Sequence, residues 1–444
     1  MGKNRIIVLL LLLVITVHAQ ETQLSFKQVD STSYSFYLKQ DWKSVIDLGK
    51  KSQQAGIDFY YLKVRMGVAY FKVEKMLSAV KMFEEAYAVN PSDIFVQEYL
   101  YWAYVYSGLN LESQLFYQKM AQTVKDSVKL KLPVVSAIDV GFVATNNSDY
   151  DDMLTSVGYS DDGESRYFPD KYQLYTLGLN HPLSKGINLY HRVTYMPIES
   201  NYQLNSAGEV ENTSYEGEEI RYYADATFAL GNKWYLDMYL DLIFGSYDDL
   251  TTQTTVGNGN GNGSGVRYKY DEENYTDYVF GASITKAMYF TRNTVNVSYS
   301  NLNDADQFQV GYTISIYPLG STYFVPFASV QYQNESKNSN SDSRFIFSGG
   351  ISAGTKDFNI TGFGNFGDMH NFNSNNGSLI YNQSATTTNE YGAILQVYLK
   401  KAIIKVGYSY MEMEDNYVTA DYLISTKKYK FNQNNIIGGI TWRL

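Results

Sequence analysis

The sequence predicts an α+β chain in two domains: an α-helical part at residues 20–132, then an antiparallel transmembrane β-barrel of about fourteen strands at 133–444. Three observations carry this reading. From about Ala137 onward, stretches of roughly 10–14 residues alternate apolar and polar, so successive side chains face lipid and lumen in turn. The connectors between these stretches are alternately short and long. Between Ser33 and Lys129, by contrast, glycine is scarce and the apolar periodicity is that of helices.

Residues 1–19 read as an export signal. Lys3 and Arg5 give a basic start, Ile6 to Val17 an apolar run, and Val17-His18-Ala19 a small-residue cleavage site, making Gln20 the first mature residue. That run is too short for a membrane helix, and no later segment reaches ~18 continuous apolar residues. A closed barrel is then the way this chain can cross a bilayer. The sequence contains 0 cysteines, so it offers no disulfide, thiolate ligand or lipid-bearing Cys. Tyr accounts for 43 of 444 residues, which suits interfacial girdles where a ring with one polar edge sits among headgroups. The net charge of −10 argues against a nucleic-acid partner.

Within the helical part, Tyr60–Asp93 resembles a tetratricopeptide repeat. Gly67 and Tyr70 fall in its first helix, Ala79, Phe83 and Ala86 in the second, and Pro91 closes the unit. The small residues belong where two helices cross closely, with the aromatics filling the gap beside them. A looser copy follows at Tyr101, Tyr104, Gly108, Tyr117 and Met120, and Trp42, Val45 and Leu48 suggest a degenerate pair upstream. The resemblance implies a concave face presenting Tyr61, Val64, Val68, Phe71, Lys72, Trp102 and Tyr106. Packing between helices is the competing use of these side chains. Lys72, Trp102 and Tyr106 are expected to form the exposed partner-binding groove.

In the second part, Trp234, Leu236, Met238, Leu240, Leu242 and Phe244 point one way and Tyr235, Asp237, Tyr239 and Asp241 the other. The same alternation places strands near 137–146, 171–181, 186–198, 217–230, 233–246, 275–286, 288–300, 305–318, 322–334, 343–354, 357–367, 388–399, 401–413 and 428–444. Tight connectors such as Gly231-Asn232 and Lys400-Lys401 belong to the periplasm. Long ones, at 147–170, 199–216, 247–274, 335–342, 368–387 and 414–427, belong outside. Both ends of the barrel then fall in the periplasm, and the helices with them. The ending Gly439-Ile440-Thr441-Trp442-Arg443-Leu444 resembles the insertion signal read by barrel-assembly machinery. Gly439, Trp442 and Leu444 carry that likeness, with Leu444 standing where a terminal aromatic is usual.

Asp139, Arg192, Arg221, Asp225, Asp237, Asp241, Arg344, Lys405 and Arg443 occupy the polar faces of their strands. The cost of a lysine or arginine at the lipid midplane, roughly 2–4 kcal/mol, assigns them to the lumen. There they either guide a polar client or form a charge-paired filling. The chain holds 4 histidines, of which His181 and His191 sit in or beside strands with no evident partner and His370 in a long loop. No catalytic site, metal site or cofactor is expected from them. An enzyme of the outer-membrane phospholipase type would need a Ser–His pair on the rim. Gly257–Gly265 reads as a flexible external tip. The loop with Asp149, Asp151, Asp152, Asp161, Asp162, Glu164 and Asp170 is either a cation site or a solvated acidic loop.

A repeat segment joined to a C-terminal barrel resembles the surface lipoprotein assembly modifier family and the barrels of exopolysaccharide exporters. The Tyr- and Asn-rich composition is similar to Bacteroidetes barrels. The resemblance implies outer-membrane lipid as the solvent, and a periplasmic protein or polysaccharide client received by the repeats and passed outward. The alternatives are a plugged barrel anchoring an interaction scaffold, and a passive porin.

Overall fold

The computed structural model describes residues 24–155, 163–206, 208–255, 265–338, 340–418 and 424–444. The expected export signal, Asp161, Asp162 and nearly all of Gly257–Gly265 lie outside the described residues. The chain divides into two compact units: one runs to Tyr106 and takes in Ala121–Val124, and the other comprises Ser107–Met120 with Lys125–Leu444.

The first unit is helical: α1 (Phe26–Leu38), α2 (Trp42–Gln54), α3 (Tyr60–Lys72), α4 (Met76–Val89) and α5 (Ile94–Tyr106). Side chains set the starts. Ser25 and Gln28 form a reciprocal capping box on α1. Asp41 accepts from the Ser44 amide at 3.2 Å, and Asp93 from those of Phe95 at 2.8 Å and Val96 at 3.2 Å. Between α3 and α4, Gly67 lies against the Phe83 ring so closely that a Cβ would stand 2.7 Å from a ring carbon. Ala79, Phe83 and Ala86 are fully buried at this crossing, and Tyr70 is buried beside it. At its edge Lys63 bridges Asp58 and Glu85. Val68, expected on a concave face, is instead core, because α3 is covered on more than one side: it is buried along with Leu62, Lys63, Met66, Ala69 and Tyr70, although it lies nearly opposite Met66 on the helix.

The second unit is a closed antiparallel barrel of fourteen strands, the number the alternation predicts. In chain order β1 is Ala137–Asn147, β2 Ser165–Ser184, β3 Ile187–Ser206, β4 Glu209–Gly231, β5 Trp234–Thr255 and β6 Gly265–Ala287. Then come β7 Thr291–Leu302, β8 Ala305–Ile316, β9 Phe324–Lys337, β10 Asn340–Gly354 and β11 Phe358–Phe366. A small hairpin, β12 (Phe372–Ser374) and β13 (Leu379–Tyr381), interrupts the wall before β14 (Thr386–Tyr398), β15 (Ala402–Val418) and β16 (Ile424–Arg443). Each wall strand pairs with its sequence neighbour, and β1 closes on β16 from Ala137↔Arg443 to Asn147↔Gln433. Both ends of the barrel therefore lie at the short-turn end. There α6 (Asn110–Lys119), within the same unit, meets the turns: the Gly186 amide donates to Gln114 Oε1 at 3.0 Å and the Lys233 amide to Glu112 Oε2 at 3.3 Å.

Outward-facing Trp234, Met238, Leu240, Leu242 and Phe244 on β5 are exposed, as are Phe308, Val310 and Tyr312 on β8. At about 3.3 Å per residue and a tilt near 40°, the run from Trp234 to Phe244 covers roughly 25 Å of barrel axis, the height of an outer-membrane apolar band. Much of what was expected to be loop at 199–216, 247–274, 335–342 and 414–427 is strand. Beyond the apolar band both strand faces meet water, so alternation lapses while backbone groups still need their ladder partners.

Candidate functional site: a lumen crossed by an inward-folded loop

The connector from β11 to β14 does not extend away from the barrel. Its hairpin pairs Phe372↔Tyr381, Asn373↔Ile380 and Ser374↔Leu379. The turn is made by Asn375, Asn376 and Gly377 at φ of 50°, 54° and 75°, a backbone region that asparagine and glycine tolerate. This hairpin folds into the bore and packs apolar groups on both sides. Ile380 joins a buried cluster with Tyr223, Tyr239, Ile243, Val279 and Leu302. Met369, Phe372 and Tyr381 join another with Phe168, Met413 and Phe431.

Polar groups of the wall hold the loop's backbone. Gln309 Nε2 donates to the Asn373 carbonyl at 3.1 Å, and the Asn373 amide donates to Gln309 Oε1 at 3.1 Å. Gln333 Nε2 donates to the carbonyls of His370 at 3.3 Å and Asn371 at 3.0 Å. From the opposite wall Arg192 donates to the Ser378 carbonyl at 2.8 Å, and the Tyr223 hydroxyl to that of Asn376 at 3.0 Å. Arg221 donates to Asn382 Oδ1 at 3.0 Å, and Asn382 Nδ2 to Glu219 Oε2 at 2.9 Å. Buried backbone that would otherwise lose its water is thereby satisfied.

A cavity of about 1510 Å³ remains in the bore, lined mainly by Ser, Thr, Asn, Gln and Tyr, and by the loop itself. Asp139, Arg192, Arg221, Asp237 and Lys405 line it. Asp225 and Asp241 point inward: Asp225 accepts from the Tyr223 hydroxyl at 3.1 Å, whereas Asp241 is fully buried with neither carboxylate oxygen hydrogen-bonded, in the field of Arg221 and Arg192. Arg344 lies 3.1 Å from Glu335 and 3.6 Å from Asp368, and donates to the His370 carbonyl at 2.7 Å. Arg221 is ion-paired with Glu219, and both are buried. Gln309, Gln333, Glu219 and Tyr223 were not singled out from the sequence. Tyr223 and Gln309 are inward by the alternation of their strands, and Glu219 by its place two residues before Arg221 on the same face.

In the helical unit Lys72 and Tyr106 are exposed and Trp102 half-buried. Tyr106 stacks with Trp102 at 5.9 Å and meets the Phe71 ring edge-on at 5.8 Å. At the chain end Trp442 and Leu444 are exposed, while Gly439 lines the lumen opposite Gly141 and Lys405. In the acidic loop, Asp149 is occupied by the Asn432 amide and side chain, each at 2.8 Å, and Glu164 by Lys427 at 3.3 Å. Among the described residues no group of three or more His, Asp or Glu is placed to hold a metal ion. His181 and His191, expected to lack partners, face each other with Nε2 atoms 3.0 Å apart.

No family model matches the chain, and no curated protein matches it. Among solved structures it is similar to a FadL homologue of Pseudomonas aeruginosa, at 10% identity over 70% of this chain and 90% of that one, TM-score 0.43. It is similar to the toluene transporter TbuX of Ralstonia pickettii at 11% identity, 71% and 90% coverage, TM-score 0.44. The toluene transporter TodX of Pseudomonas putida gives 7%, 70% and 90%, and 0.43.

Proposed function

We propose that this chain is an outer-membrane transport barrel gated by the loop at 367–385, with its helical unit a tetratricopeptide-type docking module in the periplasm. One observation carries the reading: the loop is held across the bore by wall side chains while a cavity of about 1510 Å³ persists beside it. A barrel filled only to hold its shape has no need of such an open space. The apolar outer band supports residence in lipid, and the terminal strand with Gly439, Trp442 and Leu444 supports handling by barrel-assembly machinery. The even strand count returns both barrel ends to the short-turn side, which supports a periplasmic place for the preceding helices.

A surface protein or a polysaccharide passes only as an extended chain after the loop has moved. Phe71, Lys72, Trp102 and Tyr106 are the surface on which the helical unit receives its periplasmic partner. The competing reading, a plugged anchor for that unit, is favoured by the apolar packing on both sides of the hairpin.

Planar-bilayer recording separates the two. A gated barrel gives brief openings that lengthen when Gln309 and Gln333 are replaced by alanine. A barrel that stays closed in both forms, though correctly inserted and heat-modifiable on gels, is an anchor.

A further inference from the structure

We propose that His181 and His191 form a binding site for a divalent transition-metal ion on the outer wall of the barrel. The two lie on β2 and β3, diagonal to one another across the paired positions Leu179↔His191 and His181↔Leu189. Leu177 and Leu183 on β2, and Val193 and Tyr195 on β3, share their face and are exposed, so the imidazoles project outward near the short-turn rim.

Hydrogen bonding dictates the protons. The Val134 carbonyl, 2.8 Å from His181 Nδ1, can only accept, so that nitrogen carries the hydrogen and His181 Nε2 presents a lone pair. His191 Nε2, 3.0 Å away, must then be the donor, leaving its Nδ1 to face the Tyr222 hydroxyl at 3.5 Å. One proton thus sits between two ring nitrogens that are both aimed at the same point.

That point suits a metal. Two imidazole nitrogens on a tetrahedral ion at bond lengths of about 2.0–2.1 Å stand about 3.3 Å apart, so the rings need part by only a few tenths of an ångström. When the ion binds, the proton on His191 Nε2 leaves and Nδ1 takes one up, with the Tyr222 oxygen turning from donor to acceptor. The carbonyl fixing His181 is the outer partner that metal-ligating histidines usually have. Neutral imidazole selects zinc, copper or nickel over calcium or magnesium. Two protein ligands leave the remaining positions to water. Occupied, the site clasps β2 to β3 while the same His181 holds the Val134 segment.

The test uses the full chain in detergent, purified without a histidine tag. Copper(II) titration followed by electron paramagnetic resonance should show one equivalent bound at or below roughly 100 µM, with coupling to two nitrogens. His181→Gln or His191→Gln should abolish that signal, with folding verified by heat-modifiable gel migration. In the unaltered protein, zinc should slow diethyl pyrocarbonate modification of His181 and His191 roughly tenfold. Absence of saturable binding, an unchanged signal in both folded variants, or no protection of these two rings would overturn the site. The expected results hold whether or not the barrel conducts.

Discussion

Gln309 treats the Asn373 backbone as a neighbouring strand would: its side-chain amide donates to the carbonyl and accepts from the N–H, both at 3.1 Å, and its oxygen accepts from Asn373 Nδ2 as well. A residue of the barrel wall thereby extends the sheet inward by one rung. Together with the apolar packing on both sides of the hairpin, contacts of this kind position the loop.

Removing that amide leaves a buried N–H and carbonyl unpaired, at about 1–3 kcal/mol each. Gln309→Ala should raise the population with the loop displaced by roughly fivefold or more. Longer single-channel openings at unchanged unitary conductance are the expected readout.

The Glu219–Arg221 pair should behave as buried ion pairs do. Truncating either partner strands a charge and costs about 3–5 kcal/mol, whereas replacing both by Gln and Met restores most of the loss. The transition temperature of the heat-modifiable form, measured for the two single variants and the double, checks this ordering.

Acid should free the loop. Burial, reinforced by Arg344 and Lys337 and opposed by Glu335 and Asp368, holds the His370 imidazole below its ordinary range. The inserted state thus favours the neutral ring. Its stabilisation is complete above the ordinary value near 6.5 and is lost as pH falls through that value toward the lowered one. Open probability should rise between about pH 7.5 and about pH 5.5, and His370→Gln should flatten the dependence.

At the crossing of α3 and α4, Gly67→Ala would set a methyl 2.7–2.9 Å from three Phe83 ring carbons. Overpacking of this kind costs about 1–3 kcal/mol. Hydrogen exchange in Met76–Val89 should quicken by roughly 5- to 100-fold while barrel amides remain unchanged.

The wall was legible because lipid imposes a rule on every second residue: Trp234 to Phe244 cannot alternate by chance on so many strands. Strand ends were not, since Glu209–Glu216 runs where neither face meets lipid and composition alone looks like loop. The inward hairpin was hidden for a related reason. Asn373, Asn375, Asn376 and Ser378 have the composition of a solvated tip, and the buried Met369, Phe372 and Ile380 among them were the only counter-signal. The histidine pair needed the β2–β3 register, because ten residues of separation meet diagonally only if the turn is known. The placement of Phe83 beside Gly67 followed from spacing alone, because helix-pair geometry is local.

The pairing of Ala137 with Arg443 gives synthesis an order it cannot evade. One edge of β1 stays unsatisfied until β16 pairs with it. Loss of even the closing segment would leave a gutter with two raw margins in oil.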